Sequence, residues 1–367
     1  MPPPASAFRL ALDATSRPGG RGPSERASAG CRGGGAPGRG AGEGQAPGDG
    51  AGRAPAGGDG AGRAPAGGDG EGRAPTGGEG GGALHRPFTT VYGVDFSGAK
   101  LAGRFAWLAR FDPPERAGEP LRLVELASLE RLAGSAERDA AIGYLVRRVR
   151  ASRRAIWAID APFSLPVEVL EPGMGWLDLL GFVRAWERGG YALGLWCLER
   201  ARALGGRQHI YRATDLAVKA PFDCYHYRII YQTYHAMRDV CAPLARSPRT
   251  AILPFHYERL ASARRVVVEA CPSSTLKRLG LPHHNYKQPE GGALTPKRRR
   301  TRGRILEGLA RYVAIGPKER WHIMRNGGGD ALDAVLAGVG VALAWGLTDH
   351  ARVAADPRAR REGFVYA

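Results

Sequence analysis

Residues 86–367 predict an α/β domain with a mixed sheet, in which an antiparallel meander continues into parallel strands and helices flank the sheet. Three observations predict this class. Strand-like stretches first follow one another across short polar turns, buried apolar stretches come later, and segments with helical spacing lie between them. A helical insertion at 165–260 is expected to separate the two parallel strands.

The meander occupies the first part of the domain. The stretches "VYGVDFSGAK" (91–100), "GRFAWLARFD" (103–112) and "LRLVELASL" (121–129) are rich in β-branched, aromatic and other apolar residues. Short polar segments join them, and these leave no room for a crossover helix. Consecutive strands are therefore expected to pair in antiparallel fashion.

A helix and two buried strands follow the meander. Residues 135–152 repeat apolar side chains at helical spacing, and Ser135 is the expected N-cap. "RAIWAIDAPF" (154–163) is apolar on both faces, as a central parallel strand must be, and "RRVVVEACPS" (264–273) is a second buried strand. The last long helix, "GGGDALDAVLAGVGVALAW" (327–345), has small residues that suit close packing on a sheet.

The insertion is predicted to be helical around 176–186 and 193–204. Its aromatic part, 221–240, alternates tyrosines with histidine and arginine and has two interpretations. Tyrosines beside basic residues can stack on nucleobases. The helical spacing of five apolar residues instead predicts a buried stripe, which consists of Tyr227, Ile230, Tyr231, Tyr234 and Met237.

The N-terminal segment, 1–85, differs from the rest of the chain. It holds 27 of the 54 glycines and a repeat of ten residues, "AGRAPAGGDG", "AGRAPAGGDG", "EGRAPTGGEG". Such a composition offers no apolar surface to offset the entropy of ordering, so the segment is predicted to be a disordered tail. A spacer and a tether are both compatible with it.

The net charge is concentrated in the folded part. Residues 1–85 hold nine arginines and eight acidic residues, so +17 of the total +18 lies in 86–367. This surplus indicates a polyanionic partner such as nucleic acid, although an arginine-rich solvated surface explains it as well. The stretch "TPKRRRTRGR" (295–304) has six basic residues in ten positions and is a candidate phosphate contact or a solvated helix start.

The cysteines and apolar runs bear on the compartment. The five cysteines are odd in number and lack a C-x-x-C pair, which argues against a disulfide framework or a zinc site. No signal peptide is evident, and the longest apolar run, 334–347, is too short to span a bilayer. A soluble cytoplasmic protein without a membrane partner is predicted.

Acidic residues end the buried strands. Asp95, Asp160 and Glu269 each follow an apolar stretch, at the sheet edge where open α/β sheets place ligands. Asp330 and Asp333 are three residues apart and share one face of the last helix. Converging carboxylates repel one another and need a cation, and oxygen-only ligands favour Mg²⁺ or Mn²⁺.

Each of these acids also has a structural interpretation. Asp95 and Asp160 can cap the turns that follow their strands. Asp330 follows three glycines and can be the N-cap of the last helix, which would put Asp333 in the first turn. The metal-site hypothesis rests on the acids occurring together in one topology.

The order of elements resembles the ribonuclease H fold, and the D-x-x-D-A of the last helix resembles the Holliday-junction-resolvase branch of that superfamily. The ordered set "YGVDFSGAK", "AIDAPFSLP", "RATD", "VVEACPSSTLKRLG" and "GGGDALDAVLAG" is similar to domain-of-unknown-function family 429, over about residues 90–347. That family is regarded as predicted ribonuclease-H-like nucleases. The resemblance implies a fold and an activity without a substrate.

The resemblance also implies positions for the site. The acids of the family would fall on Asp95, Asp160, Glu269 and Asp330 or Asp333. We expect Asp95 to bridge two ions and the other acids to complete their shells. The expected substrate contacts are Ser97, Lys100, Arg212, Lys287, Arg298 and Arg302. Arg212 and Asp215 in "YRATD" have a second interpretation as a structural ion pair.

The function predicted from these residues is metal-dependent hydrolysis of nucleic acid by a carboxylate-bound two-metal site. One alternative is a non-catalytic nucleic-acid-binding protein of the same fold. The other is an ATP-using phosphotransferase of the actin–hexokinase type, whose phosphate loop "DFSG" resembles only loosely. The choice between DNA and RNA and the oligomeric state are left open.

Overall fold

An eight-stranded sheet forms the centre of the fold. The computed structural model describes residues 88–114, 116, 119–288 and 292–367, so the predicted tail at 1–85 lies outside the described residues. The strands are β1 Thr90–Asp95, β2 Trp107–Asp112, β3 Leu121–Ser128, β4 Ala155–Asp160, β5 Thr250–Ile252, β6 Arg265–Ala270, β7 Val313–Ala314 and β8 Val365–Tyr366.

Helices cover both faces of this sheet. The α-helices are α1 Ala102–Phe105, α2 Leu129–Ala133, α3 Arg138–Ala151, α4 Trp176–Ala185, α5 Gly189–Ala203, α6 Ala213–Ala217, α7 Ile230–His235, α8 Ala242–Ala245, α9 Pro272–Arg278, α10 Pro296–Leu309, α11 Pro317–Arg325, α12 Asp330–Trp345, α13 His350–Ala355 and α14 Ala359–Glu362. Short 3₁₀ segments occur at Val167–Val169 and Tyr257–Ser262, and a π-helical segment, Ala236–Cys241, joins α7 to α8.

The sheet is mixed, as predicted. Its order is β5-β6-β4-β1-β2-β3-β7, with β8 paired to β6. The β1–β2 and β2–β3 pairs are antiparallel and form the meander. The β1–β4, β4–β6, β5–β6, β3–β7 and β6–β8 pairs are parallel. The coarse fold class, a mixed α/β sheet flanked by helices, is confirmed.

The central strands β4 and β6 are buried because helices pack on both sheet faces. Side chains alternate between the faces. Trp157 and Ile159 of β4 belong to the core beneath α3 and α4, whereas Ile156 and Ala158 pack with residues of α12. Trp157 also stacks on Tyr92 of the neighbouring strand, with ring centroids 3.9 Å apart. Hydrophobic side chains therefore pack against both faces of the sheet.

Several boundaries differ from the prediction. Residues 103–105 belong to α1, so the second strand begins only at Trp107. The N-cap of α3 is Glu137, and Ser135 instead accepts the main-chain N–H of Glu137 at 3.2 Å. Residues 165–260 carry α4 to α8 but also β5, so this segment adds an edge strand to the sheet. Strands of two or three residues give too short a pattern to be read from sequence.

Among the helices in the described ranges, none combines the length and the apolar character needed to cross a bilayer. The four cysteines in the described ranges are free thiols, and three of them are buried.

Candidate functional site

Three carboxylates meet at one edge of the sheet. Asp95 is the last residue of β1 and Asp160 the last of β4, and the parallel register pairs them directly. Asp333 comes from the first turn of α12. The three residues, called here the acid group, each offer an oxygen that lies within 4.8 Å of the other two. This arrangement brings together three of the five acids predicted from the sequence.

Asp333 reaches the strands because α12 lies unusually close to β1. A Cβ atom on Gly93 of β1 would lie 2.0 Å from the carbonyl oxygen of Ala334 and 2.5 Å from the main-chain nitrogen of Gly338. Only glycine leaves room for this approach. The small residues of α12, noted in the sequence, therefore set the distance between Asp333 and the strand acids.

The acid group strongly perturbs its own protonation. Burial raises the pKa of Asp95 well above its usual value, and the charges of Asp333 and Asp330 raise it further. Burial, with the charge of Asp333, raises the pKa of Asp160 to about 7. A hydrogen bond between Asp95 and Asp160 opposes the shift of Asp160. Oxygen ligands with crowded negative charge fit a hard divalent cation such as Mg²⁺ or Mn²⁺.

Lys287 partly neutralises this charge. Its ammonium contacts a carboxylate oxygen of Asp333, and the hydroxyl of Tyr286 donates to the other oxygen at 3.0 Å. Burial lowers the pKa of Lys287, but the charges of Asp333, Tyr286 and Asp95 outweigh burial and raise it overall. Lys287 is therefore protonated, and one ammonium faces three carboxylates.

Asp330 lies beside the acid group but is held separately. The N-cap of α12 is Gly329, whose φ of 92° suits glycine, and Asp330 is the first helical residue. The side-chain amide of Asn326 donates to Asp330 at 3.1 Å, and its oxygen accepts the main-chain N–H of Ala331 at 3.1 Å. Burial raises the pKa of Asp330. The capping role of Asn326 was missed, although asparagine before a helix is a known capping signal.

Glu269 belongs to a different cluster. The guanidinium of Arg212 donates to Asp215 at 3.0 and 2.8 Å, to Glu269 at 2.9 and 2.8 Å, and to the carbonyl of Glu362 at 2.7 Å. Arg212 and Glu269 are each only 1% exposed. We call these residues the arginine network. Glu269 is thus engaged by Arg212 and stays outside the acid group, and the ion-pair interpretation of Arg212 and Asp215 is the one observed.

The arginine network includes a residue that the sequence analysis missed. Glu362, at the end of α14, accepts the main-chain N–H groups of Val167 and Ala213, each at 2.9 Å. It also pairs with Arg358 at 2.8 Å. Its partners in the network are separated from it by about 150 residues of chain, so no local spacing could have revealed it.

The predicted phosphate contacts are distributed unevenly. Arg302 is fully buried and donates to the carbonyls of Tyr286, Ile323, Asn326 and Gly327. Its role is structural, because the side chain is buried and four of its five N–H donors are engaged by main-chain carbonyls. Arg298 donates to the side chain of Gln288 at 2.8 Å. Ser97 lines the cleft beside the acid group, whereas Lys100 is exposed and outside the cleft lining.

The predicted tyrosine stripe is wrong in part. Ile230, Tyr234 and Met237 are buried, but Tyr227 and Tyr231 are 67% and 46% exposed. The helix begins only at Ile230, so Tyr227 precedes it and is free of helical geometry.

The acid group lies in a cleft of about 320 Å³. Its lining includes both predicted helix acids, Lys287, three residues of the arginine network (Arg212, Asp215 and Glu269) and the aromatic side chains of Phe105 and Phe222. Comparison of the chain with models of known protein families, with curated proteins and with solved structures finds no match in any of the three.

Proposed function

We propose that this chain is a divalent-metal-dependent nuclease with a ribonuclease-H-like domain. The observation that carries the proposal is the convergence of Asp95, Asp160 and Asp333 in an open cleft, with oxygens within 4.8 Å of one another. Crowded carboxylates are costly unless a cation or a proton compensates them. A structural role alone gives no reason to collect them there.

The strand order supports the fold assignment. The meander β1-β2-β3 lies on one side of β1, and the parallel strands β4 and β6 lie on the other. This is the order of elements on which the resemblance to the ribonuclease H fold rested. The acids of β1 and β4 end side by side, and the last long helix adds Asp333.

The positions of these residues suggest which of them would bind metal ions and which would bind phosphate. Asp95, Asp160 and Asp333 would hold one Mg²⁺ or Mn²⁺, and Asp330, which lies near enough to raise the pKa of Asp95, would serve a second. Such ions lower the pKa of water and stabilise the oxygens of a phosphodiester during displacement. Lys287, with a side chain 45% exposed, is placed to donate to a phosphate oxygen.

The charge of the domain supports a polyanionic substrate. Residues 86–367 carry +17, and the acid group is a local concentration of negative charge within that surplus. A phosphate backbone would be attracted by the basic surface and would reach the carboxylates only together with cations.

Cleavage assays test the proposal. Labelled single strands, duplexes and junctions of DNA and RNA are incubated with Mg²⁺ or Mn²⁺ and the wild-type chain, Asp95→Asn or Asp139→Asn. We expect Asp95→Asn to lose at least about 100-fold in rate, the equivalent of about 2.7 kcal/mol in the barrier. Asp139 is a matched control because its side chain is 91% exposed on α3. Equal cleavage by wild type and Asp95→Asn would remove the acid group from the mechanism.

One observation favours a second candidate, a non-catalytic nucleic-acid-binding protein. The ammonium of Lys287 already contacts Asp333, so part of the negative charge is neutralised within the chain. This candidate expects nucleic-acid binding that EDTA leaves unchanged, with no cleavage of any substrate in the same assays.

A further inference from the structure

Two aromatic side chains line the cleft that holds the acid group. Phe105, at the end of α1, is 50% exposed, and Phe222, in the segment between α6 and α7, is partly buried. Both lie within reach of a ligand in the cleft. Neither position is explained by binding a cation, because an aromatic ring offers no oxygen ligand.

The aromatic surface continues outward from Phe222. The ring of His226 stacks on Phe222 with centroids 4.6 Å apart and an interplanar angle of 25°, and Tyr227 follows at 4.5 Å from His226. The guanidinium of Arg228 lies 5.6 Å from the Phe222 ring and 5.8 Å from the Tyr227 ring. We call Phe222, His226, Tyr227 and Arg228 the aromatic ledge.

The ledge is not needed to fill the core. The same segment already contributes buried Cys224, Tyr225 and Ile230 to the hydrophobic core beneath the sheet. Tyr227 is 67% exposed and Arg228 is exposed, so these side chains stack on one another in solvent. Exposed rings beside an arginine, joined to a cleft, are the features by which proteins hold single-stranded nucleic acid.

We propose that the aromatic ledge and Phe105 bind unpaired nucleobases, so that the substrate of this site is single-stranded nucleic acid. The inference rests on the proposed function and specifies its substrate class. Bases in a duplex are stacked on their neighbours and present only their edges, whereas unpaired bases offer a face to a ring. Arg228 and the +17 charge of residues 86–367 complement the phosphates of the same strand.

Binding without a divalent ion tests this separately from cleavage. The full wild-type chain in EDTA is titrated against a labelled 12-nucleotide single strand, the matched duplex and a strand of the same length with abasic sites, by fluorescence anisotropy. We expect the single strand to bind more tightly than the duplex or the abasic strand. Equal affinity for all three overturns the proposal, and so does the absence of measurable binding.

Substitutions then locate the contact. Phe222→Ala and Tyr227→Ala are each expected to weaken single-strand binding by about 5-fold to 100-fold, the range for one stacked base. Trp321→Ala is the matched control, because Trp321 on α11 is 54% exposed and does not line the cleft. Thermal unfolding checks each variant, and the exposed position of Tyr227 keeps the test valid where Phe222→Ala fails to fold.

The outcomes separate the two proposals. If single strands bind, if the ledge substitutions weaken that binding and if no substrate is cleaved, the nuclease proposal is wrong and the binding inference is supported. Cleavage that depends on Asp95 but prefers duplex, and is unchanged in Tyr227→Ala and Phe222→Ala, would sink the binding inference alone.

Discussion

Two clusters of carboxylates lie in the same cleft and are neutralised differently. In the arginine network, Arg212 donates all five of its N–H groups to Asp215, Glu269 and a carbonyl. In the acid group, the single ammonium of Lys287 contacts Asp333, while the carboxyls of Asp95 and Asp160 have one another. In the arginine network the cation contacts both carboxylates, whereas in the acid group it contacts one of three.

The difference shows that buried carboxylates can serve either a structural ion pair or a cation-binding site. A guanidinium matches two carboxylates geometrically, and its charge opposes the burial that raises the pKa of Glu269 to about 7. Three carboxylates facing one ammonium stay in place only by taking up protons or cations. Each of the following experiments tests this difference between the arginine network and the acid group.

Removing the cation of the arginine network should have the largest effect. Arg212→Met leaves the buried carboxylates of Asp215 and Glu269 without their cation, and we expect a loss of about 3–5 kcal/mol in the free energy of unfolding. Urea unfolding followed by circular dichroism measures it. Arg104→Met is the control, since the exposed pair of Arg104 with Glu130 should contribute at most about 1 kcal/mol. Similar losses for both variants would contradict the contrast.

Adding a divalent ion should act only on the acid group. At a concentration 100 times its dissociation constant, Mg²⁺ should stabilise the chain by about 2.7 kcal/mol, because it binds the folded state. The measurement is thermal unfolding with and without Mg²⁺. Asp333→Asn should lose this stabilisation and Asp139→Asn should keep it, whereas a shift that survives in Asp333→Asn would place the ion elsewhere.

The protonation of Asp160 should make stability depend on pH. Its pKa of about 7 exceeds the ordinary 3.8, so the folded state holds more protons than the unfolded state between these values. Stability from this group is therefore complete below about pH 4 and declines as the pH rises to 7. Urea unfolding across this range, with Asp160→Asn for comparison, measures it. A profile unchanged by Asp160→Asn would refute the assignment.

Removing Lys287 should have the smallest effect on stability. Its side chain is 45% exposed but its partner Asp333 is buried, so Lys287→Met should cost about 1 kcal/mol, the upper end of the range for exposed pairs. The same variant should bind Mg²⁺ more tightly, because a positive charge has left the site. Isothermal titration at pH 7.5 compares the two chains, and weaker Mg²⁺ binding in Lys287→Met would mean that the lysine does not compete with the ion.

The fold was largely predictable because its signals are local. The β-branched and aromatic runs gave β1, β3, β4 and β6, and the helical spacing gave α3, α4, α5 and α12. The antiparallel meander followed from the short connections, and the parallel strands followed from being apolar on both faces. Strands β5, β7 and β8 were missed because they are held by pairing to neighbours rather than by their own pattern.

The site was predictable only in part. The parallel register brings Asp95 beside Asp160, as expected for two strands that end in acids. Glu269 is the last residue but one of the parallel strand β6 and pairs with Ile159 of β4. Its carboxylate is bound by Arg212 and therefore does not join the acid group. A sequence lists the acids without saying which of them will meet a buried cation, since that cation comes from 57 residues away.

The mixed sheet, the acids at its strand ends and the excess of positive charge could all be predicted from the amino-acid sequence, since hydrophobic period and residue type act locally. Which of the acids lie close together depends on how remote segments pack. The close packing of α12 on Gly93 brings Asp333 near Asp95. The two hydrogen bonds from the guanidinium of Arg212 hold Glu269 outside the acid group. Electrostatic pairing depends on distance, and the distance between remote residues is set by packing alone.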